Sequence, residues 1–418
     1  MPSDKIESAS WLSDEATQRI LKVLNTDGAA TRCVGGCVRD TLLGVASAET
    51  DVDMATTLTP DDATARLEAA NIKVVPTGIA HGTITAIMDA GRSFEITTLR
   101  RDVATDGRHA QVAFTDDWAR DAARRDFTIN ALYADADGTL HDPTGAGLSD
   151  LDARRIRFIG DAPTRIEEDV LRILRFFRFH FALAAETPFD ADALAACRAS
   201  AAEVARLSAA RIRAELLRIL ALPDCAAAIG ALHESGIWPH LWPPEAGTGT
   251  PDTLARLAML EDTPDALLRL ASLCDTTDGL AKRLHLSNAD AERLAQAIAP
   301  LRLPPEYGDP PVAPLAHDMP PAQVHRFVYL AGHRCFTDRL FIHGARENWT
   351  KAQVEALHAT AAAFDKPAFP LSGEEIMAAG IPQGREVGAV SRRLENWWIE
   401  AGFPDAEAVA AQLAALAD

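Results

Sequence analysis

Asp51-Val52-Asp53 sets two carboxylates at i and i+2, positions that share a face in an extended strand. Two anions held side by side repel unless a cation sits between them. A hard divalent ion such as Mg²⁺, which takes oxygen ligands and usually keeps a phosphate in its shell, answers that need. Upstream, Gly35-Gly36 ends a short apolar run, Ala29–Val34, and precedes Val38–Leu43, whose spacing is helical. Glycines in such a strand-to-helix turn let the backbone approach a phosphate and point N–H groups at it. Arg39, just inside the helix, is placed to pair with the same anion. Taken singly, a solvated turn explains Asp-x-Asp and a tight turn explains Gly-Gly. Together, with Arg39 and Asp40 between them, they point to a site for a metal-bound nucleoside triphosphate.

Three more groups bear on that site. Glu95 lies in an alternating segment with apolar Phe94, Ile96 and Leu99. A surface Glu on a strand is the ordinary explanation, yet one more carboxylate beside Asp51 and Asp53 completes the set that a two-metal site needs. Arg124-Arg125-Asp126, followed by Asn130, reads either as a capped helix start or as a group that holds a triphosphate and hydrogen-bonds ribose hydroxyls. Residues 163–180 read as one helix with Ile166, Val170, Ile173, Leu174 and Phe177 on its apolar face. Glu168, Arg172 and Arg175 then form one stripe, with Asp169 beside Arg172. As a solvated face, the Glu-to-Arg pairs contribute only a few tenths of a kcal/mol each. The functional alternative has a chemical logic. An Asp carboxylate only accepts and an Arg guanidinium only donates, which complements the amino donor and ring-nitrogen acceptor shared by cytosine and adenine. Uracil and guanine present the opposite order and would leave buried partners unpaired. One protein pair could therefore choose CTP and ATP without a nucleic-acid template.

Gly35-Gly36-Cys37-Val38-Arg39-Asp40, Leu42-Leu43-Gly44 and Asp51-Val52-Asp53 resemble the signature of nucleotidyltransferases with a polymerase-β-like palm. More narrowly, the chain resembles the class II tRNA CCA-adding enzymes and bacterial poly(A) polymerases. Phe94–Arg100 is similar to the family segment that carries its third carboxylate, Arg124–Leu132 to the ribose-recognising motif, and Glu168-Asp169-x-x-Arg172-x-x-Arg175 to the nucleotide-template motif. The resemblance implies Asp51, Asp53 and Glu95 as catalytic metal ligands for Mg²⁺. It implies Gly35, Gly36, Arg39, Arg124, Arg125, Asp126, Asn130, Glu168, Asp169, Arg172, Arg175 and Arg178 as nucleotide-binding residues. It also implies CTP, ATP and the tRNA 3′ end (the acceptor stem) as partners, and CCA addition as the activity. The polar stretch 101–118, expected as a mobile loop or hairpin, matches a loop whose presence in the family goes with addition of the terminal adenosine. A poly(A) polymerase would share every catalytic motif. An RNA-binding scaffold with a silent palm is disfavoured because no carboxylate is missing, and a small-molecule nucleotidyltransferase would not need the 168–178 motif.

The elements that must position these residues follow from periodicity. The first 100 residues alternate helix and strand, with a helix over Glu15–Asn25 and another capped by Thr59 and running to about Ala70. The expected class is an α+β, polymerase-β-like head with a small mixed sheet, followed by an all-α neck, body and tail. The divisions fall at 1–150 (head), 151–222 (neck), 223–303 (body) and 304–418 (tail, for tRNA). Leu371-Ser372-Gly373 with Gly380, Gly384 and Gly388 marks a short helix–turn–helix in the tail.

Composition sets the remaining bounds. The formal net charge is −19, which argues against a general nucleic-acid binder. Residues 151–220, however, hold 12 Arg, no Lys and 10 acidic residues, a net of +2 that leaves −21 for the rest. Arginine suits phosphate and base contacts better than a lysine coat would. No run of about 18 uncharged apolar residues occurs, so no membrane partner is expected. The acidic, polar N-terminus does not read as a signal peptide. Six scattered cysteines without paired spacing fit a reducing cytoplasm. No pattern fixes an oligomeric state.

Overall fold

A computed structural model of the chain describes residues 5–6, 9–88, 91–106, 109–247, 250–277, 279–299 and 314–417. It divides into two compact units, Met1–Leu207 with Ser235–Ile237, and Ser208–Glu234 with Trp238–Asp418.

The first unit is built on a mixed sheet. Its strands are β1 (Thr31–Val34), β2 (Asp53–Thr56), β3 (Lys73–Gly78), β4 (Thr83–Ile87) and β5 (Ser93–Thr98); a separate hairpin, β6 (Arg100–Asp106) and β7 (His109–Phe114), follows; and β8 (Tyr133–Ala134) and β9 (Leu140–His141) complete the sheet. The order across it is β3-β4-β5-β2-β1-β8-β9, and only the central β2–β5 pair is parallel. Its register sets Asp53 opposite Glu95 and Met54 opposite Ile96. Alternation then does the sorting. Met54, Phe94 and Ile96 are buried, while Asp53 and Glu95 stay exposed. Val34, Ala55, Leu99, Ala122, Ala131 and Tyr133 form one core cluster, with Trp118 and Ile159 packed on it.

Helices Glu15–Leu24 and Pro60–Ala69 contribute buried Ile20, Leu21, Leu24, Ala63 and Leu67. The second begins as expected: the Thr59 side chain accepts from the Asp62 N–H, with Pro60 in the first turn. The stretch after Arg100 is a hairpin, not an irregular loop. Its β6 end is tied down where the Arg100 guanidinium donates to the His81 carbonyl. At its β7 end, Phe114 lies against Gly82, where a Cβ would fall 2.9 Å from the ring.

Beyond the sheet, the same unit carries Phe127, Phe158, Phe176, Phe177, Phe179 and Phe189 in mutual ring contact. Here the structure corrects one expectation. Residues 163–180 are not one helix but two, Ala162–Glu168 and Leu171–Leu183. Asp169 is extended between them (φ −152°, ψ 101°), and its carboxylate accepts the Leu171 N–H at 3.1 Å. Arg172 spans the break, donating to the Arg165 carbonyl at 2.6 Å and to Glu168 at 2.8 Å. A side chain that bonds the backbone competes with the helix ladder, and Asp does so readily.

The second unit is helical, from Ala209–Leu220 to Ala406–Ala417. Arg269, 2% exposed, pairs with Glu261 at 2.7 Å. It also donates to the Leu220 and Leu222 carbonyls at 2.7 Å each, closing the end of helix Ala209–Leu220. Ser208 occupies the cap position of that helix without a side-chain bond. The glycine-rich tail segment forms helices Gly373–Ala378 and Arg385–Glu400, and Ser372 and Glu375 make a reciprocal capping box. Gly380 and Gly384 turn the chain between them at φ +96° and +136°. No helix among the described residues is long and apolar enough to cross a membrane.

Candidate active site

A cavity of about 560 Å³ opens in the first unit over β2 and β5. Its wall includes Gly35 and Gly36 from the β1 turn, Arg39 from helix Gly36–Leu42, and Asp53 and Glu95 from the parallel strands. Arg124, Arg125, Asp126 and Asn130 join from the segment before β8, and Asp169, Arg172, Arg175 and Arg178 from the broken helix pair. Seven guanidiniums and five carboxylates line it, counting Arg100 and Asp121. That excess of positive charge suits a polyanionic ligand.

Gly35 has φ +78°, a conformation only glycine takes without strain, and caps helix Gly36–Leu42. Arg39 is held by two bonds to Asp40 (2.8 and 3.0 Å) and by the Asn130 amide oxygen (2.6 Å). Protein partners thus orient the Arg39 guanidinium along the cavity wall. Asn130 passes the connection on, donating to Asp126 at 3.0 Å, and Asp126 accepts from Arg175 at 2.7 Å. Asp126 is buried, which alone would raise its pKa. Arg175, Asn130 and the Phe127 N–H outweigh that and hold its carboxyl below the usual range. Asp126 does not cap a helix; the next turn is a 3₁₀ turn, Thr128–Asn130, that lacks a side-chain cap.

Asp53 presents surface to solvent, but the concave wall strips most water from its carboxylate. Crowding, then the charges of Glu95 and Asp51, push its pKa up to about 6 against the opposing pull of Arg125. Asp51 precedes β2 rather than lying in it, is exposed, and does not line the cavity. No group of three or more His, Cys, Asp and Glu side chains among the described residues is gathered closely enough to hold a metal. The donor set still fits a hard divalent cation. Asp53 and Glu95 are register partners with all-oxygen ligands, their mutual repulsion is what a cation relieves, and such ions complete their shells with water and phosphate.

Arg125 is aimed from below. Its Nε donates to the Tyr133 hydroxyl at 3.1 Å and a terminal nitrogen to Asp121 at 3.3 Å, while the Tyr133 hydroxyl donates to Asp121 at 3.0 Å. Glu168 does not line the cavity. It holds Arg172 at 2.8 Å and pairs with Arg165, which donates to the Arg125 carbonyl at 2.6 Å. Arg172 also reaches the Arg124 carbonyl at 3.1 Å. The break at Asp169 thus leaves its carboxylate and the Arg172 guanidinium lining one cavity.

Comparison with known proteins decides the family. Residues 31–157 match the family model described as "Poly A polymerase head domain", and residues 188–246 one described as "Probable RNA and SrmB- binding site of polymerase A". The mitochondrial CCA tRNA nucleotidyltransferase 1 of Mus musculus is 33% identical over 420 residues, covering 96% of this chain and 90% of that one. Its Danio rerio counterpart is 34% identical over 384 residues, covering 88% and 83%. The chain belongs to the CCA-adding tRNA nucleotidyltransferase and poly(A) polymerase family. It is a nucleotidyltransferase, and enzymes of this family generally work with a divalent metal.

Structures of family members carry the likeness through both units. The Bacillus stearothermophilus CCA-adding enzyme in complex with CTP aligns with TM-score 0.75 at 25% identity, covering 95% of each chain. The Thermotoga maritima CCA-adding enzyme complexed with tRNA_CCA shares the fold, with TM-score 0.67 at 18% identity and 98% of each chain covered. Within this family frame, the cavity and support residues that escape a sequence reading include Arg100, Asp121, Tyr133, Arg165 and Phe179. The Asp121–Arg125 spacing of four was the one available signal, a helical ion-pair register.

Proposed function

We propose that this nucleotidyltransferase adds CMP and AMP, without a nucleic-acid template, to the 3′ end of the tRNA acceptor stem, taking them from CTP and ATP. The observation that carries the reading is that Asp169 and Arg172 line the same cavity as Asp53 and Glu95. A pair able to read a base edge and a carboxylate pair able to hold a metal would then act on one bound nucleotide. The names of the two vertebrate relatives and the CTP-bound structural neighbour support it.

In this reading Asp53 and Glu95, with Asp51, hold Mg²⁺. Bound there in a two-metal arrangement, it supplies activation of the RNA 3′-hydroxyl and stabilisation of the pyrophosphate that leaves. Gly35, Gly36, Arg39, Arg124 and Arg125 steady the triphosphate, and Asp126 and Asn130 meet the ribose. The cytosine or adenine edge donates its amino group to Asp169 and accepts from Arg172, with Glu168 holding that arginine in place. Arg175 and Arg178 complete the wall around the nucleotide. Residues 1–150 serve as catalytic head, 151–222 as neck, and 223–303 and 304–418 as body and tail for the tRNA. Six buried free thiols suit a reducing compartment such as the cytoplasm.

The test offers purified protein a tRNA ending before CCA, with Mg²⁺ and each labelled nucleotide in turn. Two C and then one A, with neither U nor G, is the expected result. A long run of A from ATP alone would make the protein a poly(A) polymerase, and no incorporation would leave an RNA-binding scaffold.

A further inference from the structure

Phe179 is surrounded by cations. The guanidinium carbon of Arg178 lies 4.2 Å from its ring centroid, that of Arg39 5.0 Å and that of Arg175 5.3 Å. Arg39 comes from helix Gly36–Leu42, and the other two come from Phe179's own helix. All three arginines and the ring line the same cavity. The ring is itself fixed: Phe179 is 6% exposed and packs edge-on against Phe127 at 5.5 Å.

Like charges gathered this closely repel, and long arginine side chains lose rotamer freedom when confined. An aromatic face offsets part of that cost, because its electron-rich surface attracts each cation. Asp126 holds Arg175, and Asp40 with Asn130 holds Arg39, so anions fix the guanidinium planes while the ring sets their spacing.

We propose that Phe179 is a positioning residue of the nucleotide site, a neutral hub that fixes Arg39, Arg175 and Arg178 as one preformed cationic wall for the incoming nucleoside triphosphate. The inference rests on the nucleotide reading of this cavity. It adds a selectivity statement. The wall recognises what CTP and ATP have in common, so its loss weakens both alike, whereas the choice of base stays with Asp169 and Arg172.

The experiment compares wild type, Phe179→Leu and Phe179→Tyr at saturating tRNA and Mg²⁺, measuring KM and kcat for CTP and ATP separately. Leucine keeps apolar bulk without an aromatic face; tyrosine keeps the face. Phe179→Leu is expected to raise both KM values by the same factor, about tenfold, with kcat within about twofold. Phe179→Tyr is expected to restore KM to within about twofold of wild type. Inorganic tripolyphosphate, used as a competitive inhibitor, should lose affinity in Phe179→Leu by a matching factor. Unchanged KM values in Phe179→Leu, a rise for one nucleotide only, or equal impairment in Phe179→Tyr would each overturn the proposal. Failure of the nucleotide reading itself is seen separately, as a wild-type protein that does not extend tRNA and shows no binding of CTP, ATP or tripolyphosphate by calorimetry.

Discussion

In the proposed reading Asp53 serves the reaction and Asp169 the choice of base, and each can be tested on its own. Asp53 sits against Glu95 in a crowded wall, so its charge contributes repulsion rather than cohesion to the fold. Asp53→Asn should therefore be at least as stable to heat as wild type near pH 7, with its melting temperature unchanged or raised by a few degrees. Transfer should fall at least about a thousandfold, since a catalytic metal is worth several kcal/mol of barrier. Single-turnover extension beside a melting curve measures both, and loss of the fold together with the activity would remove the case for a catalytic role. Asp169→Ala tests selection instead. Asp169 is half-buried, and removing an acceptor that a bound base would cover costs about 1–3 kcal/mol, so discrimination of CTP over UTP should relax roughly ten- to a hundredfold. An unchanged CTP-to-UTP ratio of kcat/KM would mean that another group reads the base. Both residues were legible in the sequence because residue type and short spacing carry their chemistry. Phe179 and Tyr133 were not, and Asp121 only through its i,i+4 spacing to Arg125. Phe179 meets Arg39 from a helix far away in the chain, and Tyr133 comes beneath Arg125 through a turn that no periodicity specifies.

Elements reveal the same division between local and tertiary causes. The strand that ends at Gly-Gly, the Thr59-capped helix and the alternation that buries Phe94 while exposing Glu95 follow from local pattern, and the sequence reading placed them. The break at Asp169 does not follow from pattern. Glu168 and Arg172 pair at the spacing of a continuous helix, and one Asp inside a helix carries only a modest propensity penalty. What breaks it is a set of bonds to the Leu171 N–H, the Arg165 carbonyl and the Arg124 carbonyl, the last from 48 residues away. Asp51 shows the converse error: the strand rule was applied to a residue that lies before the strand. The helix after the break also carries a pH dependence. His180 is 3% exposed and stacks on Phe189 with centroids 3.7 Å apart, and burial lowers its pKa to about 4. The unfolded chain therefore binds a proton that the folded chain refuses, so stability is lost as pH falls from about 6.5 to 4. At about 1.4 kcal/mol per pKa unit the loss is on the order of 2–3 kcal/mol. His180→Phe keeps a ring against Phe189 and should show a smaller drop in urea midpoint between pH 7 and 4. Parallel curves for the two proteins would show that His180 does not titrate in this window.

Across the whole molecule the net charge of −19 sets how RNA is met. A basic protein gathers nucleic acid through counterion release, with the logarithm of affinity falling steeply as salt rises. Here positive charge is concentrated where the chemistry is. Seven guanidiniums face five carboxylates in the cavity, and the 151–220 segment is net positive in a chain otherwise strongly acidic. Long-range attraction for RNA in general should be weak, and recognition must come from shape and from contacts made only when the correct end is seated. Each phosphate neutralised contributes about 0.7–0.9 to the slope of log K against log salt. A tRNA lacking its 3′ CCA should give a slope no steeper than about −4, which corresponds to roughly four to six phosphates. Single-stranded RNA of equal length should bind at least about a hundredfold more weakly at 150 mM salt. Fluorescence anisotropy over a salt series measures both quantities with the full-length protein. Equal affinity for the two RNAs with a steep slope would mean that the acidic surface does not govern encounter, and that a basic face strong enough to bind any RNA outweighs it.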